Sequence, residues 1–355
     1  MSINKADTRQ PSRKGRLFYC ITETGNLIAL HKKPGYVILI SMSYIVFDLE
    51  WNQPQDGKPS EERALQFEII EIGAVKLNED LRIVSKYHQM VRPQVYKEIN
   101  WRIRKMLDLK QGELSQGKTF VQAAKEFFAW CGPDPVWCTW GTQDLTELQR
   151  NMAYYQMEPL SREPIRYMNV QKMYGVMIGN LTQSKALGTA VEELKLRTDV
   201  PFHRAYSDAY YTANVLALIP EQIREAYPAY DVYHLPSSKK KEIHIESPEG
   251  EQLISHGYEV RDDILRDPHI MTVQCAKCGD LTVKTAVKWF TANNKIFQAA
   301  GICREHGCIG AKLRIRKNEQ GMYYAEREYR YMETAELEDL KTQRHLALTK
   351  QKNSE

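Results

Sequence analysis

Four carboxylates and one histidine between residues 48 and 208 are of the types that hold divalent metal ions against a phosphodiester. They are Asp48 and Glu50 in YIVFDLEWN, Asp144 in WGTQDLTELQ, and His203 and Asp208 in HRAYSDAYYTANV. Carboxylate oxygens are the ligands that Mg²⁺ and Mn²⁺ prefer. A histidine with an ordinary pKa near 6.5 can accept a proton at neutral pH. The set therefore predicts a metal-dependent site.

The pair Asp48 and Glu50 ends an apolar run that predicts a β-strand, and residues two apart on a strand point to the same face. Two like charges about 4 Å apart repel by about 4 kcal/mol at an effective dielectric near 20, and a divalent cation removes that repulsion. A solvated strand end is the alternative for this pair alone. Asp208 favours the metal site, because the small residues of its helix allow a close approach to the strand.

Apolar alternation and helical spacing predict a mixed α/β domain over residues 42–222. The predicted strands are YIVFDLEW, FEIIEIGAVKLN, IVSKYHQMVRP and VWCTWG. The predicted helices are VQAAKEFFAW, the stretch from Asp144 to Tyr155, ALGTAVEELKL and SDAYYTANVLALIP. Strands that come first, followed by alternating helices and strands, indicate a mixed sheet flanked by helices.

The rest of the chain divides by composition. Residues 1–41 carry seven Lys/Arg against two acids, and we predict an N-terminal extension that is disordered or precedes the native start. Residues 223–267 are charged and poor in large apolar side chains, which predicts a linker. Residues 268–334 are predicted to form a compact metal-binding module, and residues 335–355 a charged C-terminal tail. The longest apolar run is too short to cross a bilayer, so we expect no membrane partner.

Four of the seven cysteines lie in VQCAKCGD and CREHGC, two pairs separated by 24 residues. This spacing is typical of a tetrahedral structural Zn²⁺ site. We predict ligation by Cys275, Cys278, Cys303 and Cys308, with His306 as the alternative ligand. A redox-active C-x-x-C would leave the second pair without a role. The odd number of cysteines and their clustering also favour a reducing compartment, and we expect a cytoplasmic protein.

Basic and aromatic residues are interleaved in the same module. The basic residues are Lys284, Lys288, Lys295, Lys312, Arg314, Arg316 and Lys317. The aromatic residues are Trp289, Phe290, Phe297, Tyr323 and Tyr324. Cations follow phosphates and rings stack on unpaired bases, so this composition is typical of a surface that binds single-stranded nucleic acid. The alternative is that the small module uses its rings for its own core or for an unknown protein partner.

Three motifs in order, VFDLEWN, WGTQDLTELQRN and HRAYSDAYYTANVLAL, resemble those of the DEDDh 3′→5′ exonucleases, a class within the ribonuclease-H-like fold. FEIIEIGAVKLN is similar to the family's second strand, and the domain most resembles the KapD/Eri-type exoribonucleases. The cysteine module resembles a zinc ribbon. Two features depart from the family. Trp51 stands where many members have Thr, and MLDLKQGEL replaces a segment that normally resembles HGIT, so substrate preference does not transfer from these positions.

The resemblance implies that Asp48, Glu50, Asp144 and Asp208 bind two Mg²⁺ or Mn²⁺ ions and that His203 is the general base. It implies hydrolysis of single-stranded nucleic acid from the 3′ end to nucleoside 5′-monophosphates, with RNA favoured over DNA. A DNA-trimming or proofreading exonuclease is the alternative activity. An inactive adaptor that binds nucleic acid is the alternative class of protein.

Overall fold

The computed structural model describes residues 43–57, 61–110, 112–180, 184–247, 250–279, 283–291 and 295–350 with their side chains. Before residue 43 it describes the backbone of β1 (Leu17–Ile21), β2 (Leu27–Lys33) and β3 (Tyr36–Ile40). These strands pair antiparallel as a three-stranded sheet, so part of the predicted extension has regular backbone structure, and its status as an extension stays a prediction. The reason is local, because apolar and β-branched segments such as YVILI favour strands.

A mixed sheet forms the centre of the first domain, as the sequence predicts, but it has six strands and two of them, at Ile165–Asn169 and Ala229–Asp231, were not predicted. Its strands are β4 (Tyr44–Asn52), β5 (Glu68–Leu77), β6 (Ile83–Met90), β7 (Val136–Thr139), β8 (Ile165–Asn169) and β9 (Ala229–Asp231). The order is β6-β5-β4-β7-β8-β9. The pairs β4–β7 and β7–β8 are parallel, and the other pairs are antiparallel.

Seven described helices accompany this sheet. They are α1 (Trp101–Met106), α2 (Phe120–Cys131), α3 (Gln143–Tyr154), α4 (Val170–Met177), α5 (Leu187–Glu193), α6 (Ala205–Leu218) and α7 (Glu221–Ala226), with a 3₁₀ turn at Glu113–Gln116. Helix α2 shows how the sequence sets the bounds. Thr119 and Gln122 form a capping box at its start, and Gly132 follows its last residue with a φ of 77°.

The two faces of the sheet carry two separate hydrophobic cores. Side chains alternate along β4, so Ile45, Phe47 and Leu49 face α2 and α3. Val46, on the other face, packs in the core that holds residues of α4, α5 and α6. Asp48 and Glu50 continue the Val46 face toward the end of the strand. The alternation therefore directs both acids to the side that α6 covers.

A second sheet of six antiparallel strands forms the C-terminal domain. Its strands are β10 (Ile243–Ser247), β11 (Gly250–Ile254), β12 (Lys284–Thr291), β13 (Ile296–Cys303), β14 (Gly307–Lys317) and β15 (Tyr323–Tyr331). The order is β10-β11-β15-β14-β13-β12. A 3₁₀ turn at Lys239–Lys241, α8 (Arg261–Arg266) and α9 (Pro268–Met271) accompany these strands.

The segment 223–267 is not a simple linker, because it contributes β9 to the first sheet and β10 and β11 to the second. Ile245 and Leu253 are buried in the C-terminal domain, while neighbouring polar residues stay outside. An edge hairpin with one buried face contains few apolar residues, so its composition resembles that of a linker.

The predicted tail is a helix, α10 (Thr334–Lys352), that packs on the second sheet. Its Leu337, Leu340 and Ala347 form a buried cluster with Val287 and Phe290 of β12. Charged residues cover the remaining face, which is typical of a surface helix. None of the described helices, α10 included, is long and apolar enough to span a bilayer.

Candidate active site and metal clusters

Three of the predicted acids meet where β4 and α6 come together. Asp48, Glu50 and Asp208 each offer a carboxylate oxygen, and these oxygens lie within 4.8 Å of one another. All three side chains are half-buried. Residues 160 positions apart in sequence thus share one small volume at the end of a buried strand.

A glycine on β5 permits this meeting. Gly73 pairs with Asp48 across the sheet, and a Cβ at Gly73 would lie 2.0 Å from the backbone of Ala205 and of Tyr206. Real Cβ atoms do not approach backbone so closely, so the first turn of α6 rests directly on the strand. This contact positions Asp208, which lies in that first turn, against the two acids of β4.

Asp144 approaches the same place from the other side of the sheet, at the start of α3. Its carboxylate accepts a hydrogen bond of 3.1 Å from the backbone N–H of Leu49, between the two acids of β4. It is not one of the three residues whose oxygens converge most closely. A carboxylate in the first turn of a helix is favoured by the helix dipole.

Burial and mutual repulsion raise the pKa values of all four acids. Burial first, then the charges of Asp144 and Glu50, hold the pKa of Asp48 well above its usual range. Burial and the charge of Asp208 raise the pKa of Glu50 to about 8. Burial raises the pKa of Asp144 to about 7 and that of Asp208 to about 6. Carboxylates crowded in this way need a cation before all of them can be charged at neutral pH.

The donor set fits hard divalent cations. The Oδ1 atom of Asp208 is buried and has no hydrogen-bond partner, which is costly unless something else binds it. The cluster offers oxygen atoms alone, and Mg²⁺ and Mn²⁺ prefer oxygen ligands. The residues present therefore match the ions that the sequence predicts.

His203 lies in the loop just before α6, with its side chain exposed. Its backbone has a φ of 62°, a left-handed conformation that costs a non-glycine residue about 1 kcal/mol or more. The backbone N–H of His203 donates to Asp208, and the charges of the two residues attract each other. The imidazole is thus held beside the acidic cluster and open to solvent.

Two residues beside the site were not predicted from the sequence. Glu71 pairs with Glu50 across the sheet, and its side chain is 1% exposed. Arg204, the residue after His203, donates to Glu71 at 3.0 Å and to Glu113 at 3.2 Å. His88 also contacts Glu71, at 2.8 Å. In the sequence, Glu71 is the second acid of FEIIEIGAVKLN and Arg204 directly follows His203. Those two positions were the signals that could have indicated the pair.

The two departures from the family pattern have structural roles. Trp51 packs against Phe67, with ring centroids 5.6 Å apart, after a bulge between Glu50 and Trp51. In MLDLKQGEL, Leu107 and Leu109 are buried in a cluster that also contains Ile70 of β5. Both segments therefore support the strands that carry the acids.

The second metal-ligand cluster contains Cys275, Cys278, Cys303 and His306. The Sγ atoms of Cys278 and Cys303 are 3.7 Å apart, and His306 Nδ1 lies 3.4 Å from Cys275 Sγ and 3.7 Å from Cys303 Sγ. A tetrahedral zinc with Zn–S bonds of about 2.3 Å places its sulfurs about 3.8 Å apart. These separations match a Cys₃His zinc site.

Cys308 is not in this cluster, so its prediction as the fourth ligand is not supported and the alternative, His306, takes its place. In the β13–β14 register, Cys303 pairs with Gly307 and Ile302 pairs with Cys308. Successive residues of a strand point to opposite faces, so Cys308 points away from Cys303. Its side chain instead packs in the cluster with Val287.

The cluster favours the thiolate that metal ligation requires. Burial acts to raise the pKa of Cys275, but hydrogen bonds from the Cys278 backbone and from the Tyr331 hydroxyl outweigh it and lower the pKa to about 6. Gly279 has a φ of 64° and donates its N–H to the carbonyl of Cys275, which closes the first turn of the site.

The aromatic residues of the C-terminal domain serve its own packing. Phe290 and Tyr324 are buried, and Trp289, Phe297 and Tyr323 pack against buried clusters. The Trp289 indole N–H also donates to the Met271 carbonyl. These rings are part of the core, which was the alternative to base stacking. Arg316 forms an ion pair with Glu326 at 2.6 Å, so the positive charge of β14 is partly compensated.

The match with a known family coincides with the first domain. Residues 45–216 match the family model RNase_T, described as an exonuclease. The match bears out the predicted DEDDh 3′→5′ exonuclease relationship and the ribonuclease-H-like fold for these residues. The domain is that of a hydrolytic exonuclease. A sequence search of the curated proteins found no match.

Solved structures similar to this chain include several nucleases. The nuclease domain of 3′hExo, a DEDDh family member bound to rAMP, is 21% identical, with a TM-score of 0.46 over 54% of this chain and 97% of that chain. A 3′-exonuclease that recognises the histone mRNA stem-loop is 20% identical, with a TM-score of 0.43 over 52% and 65%. Exonuclease I of E. coli with a dT13 oligonucleotide is 13% identical, with a TM-score of 0.38 over 50% and 40%.

Proposed function

We propose that this protein is a metal-dependent 3′→5′ exonuclease that shortens single-stranded nucleic acid, preferably RNA, to nucleoside 5′-monophosphates. The observation that carries the proposal is the convergence of Asp48, Glu50 and Asp208 within 4.8 Å, inside a domain that matches an exonuclease family. The preference for RNA rests on the resemblance of the motifs to the KapD/Eri-type exoribonucleases.

Two Mg²⁺ or Mn²⁺ ions would be held by Asp48, Glu50 and Asp208, with Asp144 completing the set. When bound, they supply charge stabilisation to the attacking and leaving oxygens of the phosphodiester. His203 takes the proton of the attacking water, for which its exposed imidazole beside Asp208 is suited. Attack of this water on phosphorus breaks the bond to the 3′ oxygen of the preceding nucleotide, so the terminal nucleotide is released with its 5′-phosphate and the shortened strand keeps a 3′ hydroxyl.

A basic groove supports a route for the polynucleotide. A cavity of about 610 Å³ is lined by Arg92, Lys97, Arg104 and Lys110 among others. A second, of about 590 Å³, continues to Phe202 and Arg204, next to His203. Cations lining a groove attract a phosphate backbone.

An exposed tryptophan lies on the same route. Trp101, at the start of α1, is 60% exposed and lines a neighbouring cavity together with Lys97 and Arg104. A ring that is both rigid and exposed can stack on an unpaired base, and such stacking contributes about 1–3 kcal/mol per base. We assign single-strand binding to this surface of the first domain, because the rings of the C-terminal domain are used in its core.

The activity is tested with 5′-labelled single-stranded RNA and DNA of one sequence, incubated with Mg²⁺, Mn²⁺ or chelator. We expect a ladder that shortens from the 3′ end, faster on RNA and absent with chelator. Asp48→Asn and Asp208→Asn abolish it, and His203→Ala slows it by about 10²–10⁴-fold. The surface substitution Asp263→Asn serves as the matched control and keeps full activity.

The outcomes separate the candidate functions. A faster ladder on DNA would favour the trimming or proofreading alternative. Binding of either polymer without any metal-dependent ladder would favour the adaptor. Trp101→Ala should raise KM on single strands while leaving kcat nearly unchanged, and an unchanged KM would contradict the proposed route.

We also propose a structural Zn²⁺ held by Cys275, Cys278, Cys303 and His306. Metal analysis of the purified chain should find zinc that Cys303→Ser removes and Cys308→Ser retains. Loss of that zinc in the Cys308→Ser variant would restore the four-cysteine site predicted from the sequence. The cytoplasmic location remains part of this proposal and is supported by the described cysteines, which are all free thiols.

A further inference from the structure

A third group of ligand-type side chains lies in the C-terminal domain, far in sequence from the acids and outside the cysteine cluster. Glu242, His244 and His269 each offer one ligand atom, and these atoms lie within 4.8 Å of one another. Glu242 ends the 3₁₀ turn before β10, His244 lies on β10, and His269 lies in α9. No motif in the sequence indicated this group.

The group is organised around a buried carboxylate. The Glu242 side chain is 1% exposed. His269 Nε2 lies 2.9 Å from its Oε2, and His256 Nδ1 lies 2.6 Å from its Oε1. The backbone N–H of His256 donates to the same Oε1 at 3.2 Å. One oxygen is therefore held by His256, while the other faces His269.

A second carboxylate orients His244. Glu251 of β11 lies 2.7 Å from His244 Nδ1, and its side chain is 16% exposed. Metal-binding histidines usually donate one ring N–H to a carboxylate, which leaves the lone pair on the other nitrogen. His244 is oriented by Glu251 and not by Glu242, so its position near Glu242 and His269 is not required for neutralising the buried carboxylate.

We propose that Glu242, His244 and His269 form a second site for a zinc-type divalent cation, with His256 and Glu251 as hydrogen-bond partners of the ligands. Two imidazoles with a carboxylate suit Zn²⁺ and neighbouring first-row metals, whereas Mg²⁺ prefers oxygen alone. Tetrahedral zinc with bonds near 2.0–2.1 Å needs ligand atoms about 3.4 Å apart. Glu242 Oε2 and His269 Nε2 are already 2.9 Å apart, so a side-chain rotation that brings His244 closer to both closes the site.

Binding there would join two separate segments at the edge of the second sheet. Strand β10 is the edge strand, and β11 is its partner within that sheet. A cation shared by the start of β10 and by α9 links this edge to the helix that precedes the cysteine turn. Among the described residues this group supplies three protein ligands, so the fourth position is left for water or another small ligand.

The experiment is equilibrium dialysis of the full-length chain against Zn²⁺ in excess Mg²⁺, followed by metal analysis. The excess Mg²⁺ competes with zinc for the acidic cluster, and the same dialysis of Asp208→Asn subtracts any zinc that binds there. The wild type should bind two zinc ions, and Cys303→Ser and His244→Ala should each bind one. His244→Ala leaves the hydrogen bonds of Glu242 in place, so its fold is retained. The exposed His345→Ala is the matched control and should bind two.

Cobalt distinguishes the sites independently. Co²⁺ in the cysteine cluster gives a strong thiolate-to-cobalt charge-transfer band, whereas Co²⁺ bound by nitrogen and oxygen gives ligand-field bands without it. A second equivalent of Co²⁺ should add ligand-field bands alone, and His244→Ala should weaken its binding at least tenfold. A single zinc in the wild type, or equal binding by wild type and His244→Ala, would overturn the proposal and leave the group as a hydrogen-bonded buried carboxylate.

Discussion

At the scale of single residues, Arg204 connects a buried carboxylate to the loop of the proposed general base. Glu71 cannot reach water, and Arg204 supplies its opposite charge from the position directly after His203. An uncompensated buried charge is costly, so the pair is held together strongly. The charge of Arg204 is already paired with Glu71 and Glu113, so we expect Arg204, although it lines the proposed groove, to act mainly by positioning His203.

The first prediction follows from that pair. Arg204→Ala should lower kcat about tenfold with little change in KM, and lower the free energy of unfolding by about 2 kcal/mol, because Glu71 loses its charged partner. The double variant Glu71→Gln, Arg204→Ala should recover part of the stability without the activity. Urea unfolding and steady-state kinetics measure the two effects. If Arg204→Ala lowers the free energy of unfolding as expected but leaves kcat unchanged, then Arg204 has a structural role alone.

The second prediction concerns pH and the acids themselves. The pKa of Glu50 is raised to about 8 and that of Asp208 to about 6, above their values in an unfolded chain. The metal-free folded chain therefore keeps protons that the unfolded chain releases. Its free energy of unfolding falls as pH rises through this window, from about pH 4 to about pH 8. A divalent cation compensates the charges and restores the stability.

Thermal unfolding with and without Mg²⁺ measures this effect. The rise in Tm produced by Mg²⁺ should be several degrees at about pH 9 and close to zero at about pH 5. Glu50→Gln should flatten the metal-free pH profile, since it removes one of the titrating groups. Equal Tm increases at both pH values would show that the cluster does not bind Mg²⁺ through charged carboxylates.

At the scale of elements, the contact between β5 and α6 decides where Asp208 lies. Gly73→Ala places a methyl group into the backbone of α6 and should push its first turn outward. We expect a stability loss of about 1–3 kcal/mol and at least a tenfold weaker Mg²⁺ affinity. The matched control is Gly188→Ala in α5, where the added Cβ meets no atom within 4 Å. That variant should be neutral or more stable by up to about 1 kcal/mol.

The same elements show what the sequence could predict. Period-two alternation on β4 placed Asp48 and Glu50 on one face, and the helical pattern of α6 brought Asp208 toward them. Both inferences need only local periodicity. Glu71 and Arg204 are 133 residues apart, and their contact depends on the register of β4 with β5 and on the docking of α6. No local pattern specifies either.

The zinc ligands show the same limit. Cysteine spacing predicted the site, but the choice between His306 and Cys308 depends on which face of β14 each residue occupies. That choice follows from the pairing of Cys303 with Gly307, which tight-turn geometry sets after folding. The Glu242 group was missed for a stronger reason, since Glu242 and His244 lie 25 or more residues before His269 and no motif links the two segments.

At the scale of the whole molecule, Arg150 joins the exonuclease domain to the C-terminal sheet. It lies on α3, the helix that begins near Asp144, and its side chain is 9% exposed. It contacts Glu147 on its own helix and Glu319 in the turn between β14 and β15, at 2.6 Å. Burial raises the pKa of Glu147 to about 7 although Arg150 opposes the shift. Arg150 therefore pairs with one acid in each of the two domains.

The last prediction separates the contact of Arg150 with Glu319 from its pairing with Glu147. Glu319→Ala removes the contact between domains but leaves Glu147 paired, so it should cost about 1 kcal/mol or less, because Glu319 is 41% exposed. Arg150→Ala also leaves Glu147 buried without its cation and should cost about 3 kcal/mol. Calorimetry should resolve two unfolding transitions more clearly in both variants than in the wild type. The double variant Glu147→Gln, Arg150→Ala should recover stability but keep the two unfolding transitions separate. A single merged transition in every variant would mean that other contacts couple the domains.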